Sequence, residues 1–222
     1  MTDDMPGLLV VKAFCPHARH ADFCARAAAP LAAASGTLVL AQPVHDVAAL
    51  EPGSVPAHLW VAAFAHAAAR DAAWAALAPL VAASGLDQAA PPVILAMAGI
   101  GAAGLGDAIP TAANVTPPAS GAPPAYFLVE GTASDPPRMD RYRDILLDMM
   151  RRRGAYYVAF ELGGNVRVLS GAWAQAIFAI SRWPSRRAAI DCWTDRRYQD
   201  QAIPLRLGIG RFSVLMAEGA AL

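Results

Sequence analysis

Charge is scarce in this sequence. Lys, Arg, Asp and Glu make up 16% of its 222 residues, against 56% hydrophobic residues, and the formal net charge is zero. Disorder is therefore not expected, and there is ample material for a core. Nor does a basic patch emerge from the split of charge. Residues 1–110 hold four basic and eight acidic residues, and residues 111–222 fourteen basic and ten acidic. The later arginines alternate with Asp140, Asp144, Asp148 and Asp191, which reads as a solvated helical face rather than a nucleic-acid surface. Only three cysteines occur (Cys15, Cys24, Cys192), with no Cys-x-x-Cys, so reduced thiols in a cytoplasmic protein are expected. The opening MTDDMPG lacks a basic start followed by an apolar run, so no signal peptide is expected. One long uncharged run, residues 89–106, carries Pro91, Pro92 and four glycines, which argues against a membrane helix. There is no Gly-rich phosphate loop and no Gly-x-Ser-x-Gly elbow.

What is present is a repeated order of elements. Residues 8–14 read as a strand, 18–34 as an Ala-rich helix closed by Gly36, then 37–41 and 58–64 as strands. Residues 66–83 form a second helix ending at Gly85, and 92–98 a fourth strand. The second half runs the same way. Residues 126–131 are a strand and 138–153 a helix. Two strands come next, 155–161 and 166–170, with a hairpin signal between them at Gly163-Gly164-Asn165. A further extended run covers 175–183, a helix opens at Pro184-Ser185, and a loop leads to a last strand at 212–217. The halves align at an offset of 119 residues: Phe23 falls on Tyr142, Leu50 on Leu169, Phe64 on Trp183, Trp74 on Trp193 and Met97 on Met216. That alignment reads as a tandem duplication. The expected units are 7–100 and 125–220, joined by a Pro/Gly/Ala linker at 101–124. Each is a ferredoxin-like βαββαβ unit, and strands apolar on both faces require the two sheets to cover each other. The expected fold is α+β: two tandem units packed sheet to sheet as an intrachain α/β barrel.

The second half also resembles a known family. Tyr142, Gly154, Leu169-Ser170-Gly171-Ala172-Trp173, Trp183-Pro184-Ser185, Ala189, Trp193, Tyr198, Arg206 and Met216-Ala217-Glu218-Gly219 resemble the 1330 family of domains of unknown function, over about residues 125–219. That family lies in the dimeric α/β-barrel superfamily. The resemblance implies a barrel made by two units. Superfamily members include cofactor-free oxygenases on aromatic polyketides, lactone isomerases, cyclases, dehydratases and haem proteins. The family's Glu in Leu-Glu-Gly is Ser170 here, and its Arg seven residues later is Ile177. In the first half the equivalent positions are Glu51 and His58, again seven apart.

The candidate site residues follow. Glu51 and His58, on facing strand ends, are a candidate base and its orienting partner. Lys12 interrupts an apolar strand and is either an edge lysine or a pocket lysine that polarises a carbonyl or enolate. Arg206 either binds an anionic substrate group or pairs with an acid. His17 and His20 sit at a helix N-terminus, where they suit contact with a substrate. With Cys24 they have helical spacing, but no second group of ligands matches, so no metal is expected. Trp173 and Tyr198 are candidates to line a flat apolar pocket, and Cys192 to fill core space. The five histidines, 17, 20, 45, 58 and 66, all lie in the first half. The resemblance places a haem ligand in a C-terminal unit, so no cofactor is expected. The reading is a cofactor-independent enzyme on a small aromatic or enolisable metabolite, or else a non-catalytic ligand-binding or accessory protein. It would be a monomer or a homodimer of the fused barrel.

Overall fold

A computed structural model describes residues 5–43, 47–51, 55–86, 90–101, 103–119, 121–162 and 164–219; the side chains of His17 and of residues 41–49 lie outside the description. The strands are β1 (Gly7–Ala13), β2 (Thr37–Pro43), β3 (Val47–Ala49), β4 (His58–Phe64), β5 (Val93–Ala98), β6 (Ala125–Ala133), β7 (Tyr156–Leu162), β8 (Arg167–Ser170), β9 (Ile177–Trp183) and β10 (Gly210–Glu218). The helices are α1 (His17–Ala33), α2 (Ala67–Ala83), α3 (Pro136–Arg152), α4 (Arg186–Trp193) and the short α5 (Ile203–Arg206), which a π-helical turn at Tyr198–Ala202 precedes.

Two five-stranded antiparallel sheets form, ordered β2-β4-β1-β5-β8 and β3-β10-β6-β9-β7. Strand alternation sorts the side chains into layers. Leu8 and Val10 of β1, and Tyr126 and Leu128 of β6, point between the sheets. Leu9, Val11 and Ala13 pack outward with Phe23, Leu31 and Leu77 of α1 and α2. Phe127 packs outward with Tyr142 of α3 and Ala189 and Cys192 of α4. The result is helices, sheet, sheet, helices, as the α+β barrel expectation requires.

Each sheet takes its outer strand from the other half. β3 pairs with β10, Ala49 facing Leu215, and β8 pairs with β5, Leu95 facing Val168. This corrects the expected hairpin at Gly163-Gly164-Asn165, of which Gly163 lies outside the described residues. β7 pairs with β9, and β8 crosses to the first sheet. Gly171, at φ 74°, turns the chain out of β8; a Cβ there would stand 2.6 Å from the Pro92 carbonyl oxygen.

Helix ends follow capping rules in part. His66, Asp135 and Ser185 each accept a backbone N–H from the residue three positions on, opening α2, α3 and α4. The helix expected from Pro184 thus starts one residue beyond its Ser185 cap. The left-handed residue after α1 is Ser35 (φ 51°), not Gly36. Gly36 serves close approach instead, since a Cβ there would lie 2.3 Å from Leu31.

Candidate functional site

The outward faces of the two sheets are filled differently. In the first sheet Val11 faces Trp60, which is 1% exposed and packs under α1 and α2. The corresponding pair in the second sheet is Val129 and Ala179. Alanine in place of an indole leaves space, and a cavity of about 260 Å³ lies there between α3 and β6, β7, β9 and β10. Its wall is mostly apolar and aromatic, with Tyr142, Leu146, Tyr157, Phe160, Ile177 and Phe212.

One cation lies deep in this wall. Arg206 is 4% exposed. The π-helical turn and α5 carry it in under α3, where its Nη1 donates to the Tyr142 hydroxyl at 3.1 Å and its Nη2 to Glu51 Oε1. The guanidinium carbon stands 4.4 Å from the Phe212 ring centre and 5.1 Å from that of Tyr142. Tyr142 and Tyr198 share a hydroxyl–hydroxyl hydrogen bond of 3.0 Å. Burial works against the charge of Arg206, but Tyr142, Tyr198 and Glu51 outweigh it, and the pKa moves upward. Arg206 is therefore a permanent cation. Its buried Nε–H has no partner among the described residues. A buried donor without an acceptor is costly, and a ligand oxygen would satisfy it. Burial raises the Tyr157 hydroxyl pKa, and it raises that of Tyr198 well above the ordinary tyrosine value, so both stay neutral donors.

Glu51 and His58 are not brought together. Glu51 follows β3 on the second sheet, with Leu50 N–H bonded to the Val214 carbonyl at 2.8 Å, and its carboxylate faces Arg206. His58 begins β4 in the first sheet and stacks on His20, ring centres 4.1 Å apart and planes 7° from parallel. The strand exchange separates them: the loop between β3 and β4 leaves one sheet for the other. His20 is 3% exposed and its Nε2 lies 3.5 Å from Cys24 Sγ, so it is a packed group rather than one at an open mouth. The His17 side chain lies outside the described residues. No group of three or more His, Cys, Asp or Glu is placed to hold a metal among the described residues.

Lys12 is not an edge lysine, because β1 is the central strand of its sheet. It continues the inward column of Leu8 and Val10 and bonds both carboxylate oxygens of Glu130, at 2.7 and 2.8 Å, across the gap between the sheets. Trp173 Nε1 donates to the same carboxylate at 2.9 Å. Tyr198 is buried beside Tyr142 rather than on the cavity beneath α3, and Cys192 is buried core. Glu130 was missed by sequence reasoning. It breaks the strand YFLVEG just as Lys12 breaks VVKAF, and opposite charges in two apolar strands were the available signal. Ala179 was also missed, although it sits 119 positions after Trp60.

Residues 124–220 match the model of a family described as a domain of unknown function (DUF1330). No curated protein matches the chain. The chain is similar in structure to an anthrone oxidase-like protein (12% identity, TM-score 0.52, covering 99% of this chain and 92% of that one). It is also similar to a mutant chlorite dismutase from Candidatus Nitrospira defluvii (9%, 0.52, 100% and 93%). A dye-decolorizing protein from V. cholerae is a third relative (11%, 0.51, 98% and 95%). At these identities the likeness is one of fold, the ferredoxin-like dimeric α/β barrel.

Proposed function

We propose that the cavity beneath α3 binds a small planar metabolite with an ionisable enol or phenol, and that Arg206 holds its oxyanion. The observation that carries this is the spare, buried Nε–H of Arg206 on the wall of an aromatic cavity. A preorganised cation in a dry site stabilises developing negative charge strongly. The ionised substrate is then the species that isomerises, cyclises or meets dioxygen, with no cofactor required. The name of the anthrone oxidase-like relative suggests one enolisable aromatic to try. Glu51 serves as a positioning residue: its carboxylate, delivered from the first half by β3, fixes the guanidinium.

The chlorite dismutase and dye-decolorizing relatives raise the question of haem. The residues present do not fit it. Among the described residues no histidine lines the cavity.

We also infer that the two units, 7–100 and 125–220, arose by tandem duplication around a linker at 101–124. Register supports this: Val11 faces Trp60 in the first unit and Val129 faces Ala179 in the second, 118 and 119 positions later, all four on outward faces. Phe23 and Tyr142, Phe64 and Trp183, and Trp74 and Trp193 lie on equivalent outward faces. Met97 and Met216 do not, since Met97 points between the sheets and Met216 outward, so the 119-residue repeat slips by one residue in the first and last strands.

The test is binding of 2-naphthol, followed by its fluorescence. We expect a bound form whose hydroxyl ionises at lower pH than in water. Arg206→Met should weaken binding of the anion about tenfold to a hundredfold, the worth of a charge-assisted hydrogen bond. Ala179→Trp, which fills the cavity, should abolish binding without touching Arg206. Naphtholate binding by Arg206→Met at wild-type strength would overturn the assignment. A second reading, non-catalytic binding, is favoured by the lack of any histidine in the cavity wall; oxygen uptake or product formation from anthrone would decide against it.

A further inference from the structure

A second cavity, of about 440 Å³, lies beside the Lys12–Glu130 pair, among the ends of β1, β5, β6 and β10 and the residues between β8 and β9. It is lined by Lys12, Glu130, Trp173, Gln175, Arg211 and Phe212, among others. We propose that it is a ligand site of its own, taking a small aromatic carboxylate.

The argument starts from the ion pair. Lys12 and Glu130 expose only 9% and 13% of their side chains. A buried pair of this kind gains little net stability over apolar residues, because both ions lose their hydration. Stability alone thus gives no reason for charge at the head of two apolar columns. A cavity beside it does. Most of the acceptor capacity of Glu130 is already used: both its oxygens bond Lys12, and Oε1 also receives the Trp173 indole N–H. Donors, by contrast, are in surplus. Lys12 has three N–H groups and gives two of them to Glu130. The Arg211 guanidinium and the Gln175 amide also line the cavity, and neither has a side-chain partner among the described residues. With Lys12 and Arg211 against Glu130, the local charge is one positive. Spare donors of positive charge, including the planar fork of an arginine, match a carboxylate. The apolar part of the wall is aromatic, from Phe14, Trp173 and Phe212. A flat ring bearing one carboxylate fits both requirements, and the volume lies within the usual range for such ligands.

The site reports on itself, because the Trp173 indole N–H bonds the carboxylate at its centre. The experiment titrates benzoate into ¹⁵N-labelled full-length protein, with the Trp173 indole signal assigned by Trp173→Phe. We expect a saturable shift of that signal. Arg211 is exposed, so Arg211→Ala leaves the fold intact, and it should weaken benzoate about tenfold. Benzamide, of the same shape without the charge, should bind at least as weakly. The proposal falls if benzoate gives no saturable shift, if benzamide equals benzoate, or if Arg211→Ala binds like the wild type. Loss of naphthol binding beneath α3 would not bear on it.

Discussion

Three thiols illustrate how burial sets chemistry residue by residue. Cys24 and Cys192 sit in apolar surroundings that push their pKa values up to about 11 and about 12, and Cys15 is shifted the same way. In each case loss of hydration is the main cause. The folded state therefore holds these protons more tightly than the unfolded chain, whose thiols titrate near 8.5. Their contribution to stability is fully present below about pH 8.5 and is lost as pH rises toward the folded values. We expect urea stability to fall from pH 8.5 to 11, with a shallower fall in Cys24→Ala. The raised tyrosines contribute to the same slope, so the difference between the two proteins is the informative quantity. Alkylation at pH 7.5 should be slow at all three cysteines in the folded state. At this scale the sequence was readable in part. Arg206, Lys12 and Trp173 stood out because polar or bulky groups in apolar or motif contexts are conspicuous. Their partners did not. Glu51 meets Arg206 across 155 positions, a contact that no local pattern announces.

Strands and helices were legible where periodicity was long. All four long helices and the eight strands of six or more residues emerge from apolar spacing and turn residues. Of the short elements, β8 did, at 166–170, but β3, with three residues, and the π-helical turn with α5 read as loop. These short pieces build the site, since β3 leads to Glu51 and α5 ends in Arg206. The hairpin signal misled for a related reason. A Gly-rich turn permits a reversal, but whether the next strand pairs back depends on which sheet edge is open, a tertiary fact. The cavity gives a prediction at the scale of one sheet face. Ala179→Trp adds an indole to about 260 Å³ of space, as Trp60 does in the first sheet. Small-to-large changes in filled cores cost about 1–3 kcal/mol. Here the space exists, so we expect the change in urea stability to stay under about 1 kcal/mol while ligand binding is lost. A large destabilisation would mean that the two faces are less alike than their registers indicate.

For the whole molecule, the exchange of β3 and β8 decides what can stand alone. A fragment of residues 125–219 retains β10, β6, β9 and β7 but lacks β3, leaving the edge of β10 open, while its own β8 has no β5 to join. The two defects are complementary. A second copy can lay its β8 on the open β10 edge, and the first can return the contact. We expect the fragment to be a dimer by light scattering at micromolar concentration, and the full chain a monomer, since both positions are filled within it. A monomeric, folded fragment would show that the exchanged strands are dispensable. No helix among the described residues is long and apolar enough to cross a membrane.

The same exchange fixes an order of events at the ribosome. Ile94 of β5 is made long before its partner Ser170, and Ala49 of β3 waits still longer for Leu215, almost the last strand residue to emerge. The first sheet thus spends much of synthesis with an open edge. The chain cannot finish its first half before its second, and the late closure of distant pairs predicts slow folding for a protein of this size. The crossing that carries Glu51 to Arg206 is also what makes the nascent chain vulnerable to pairing with its neighbours.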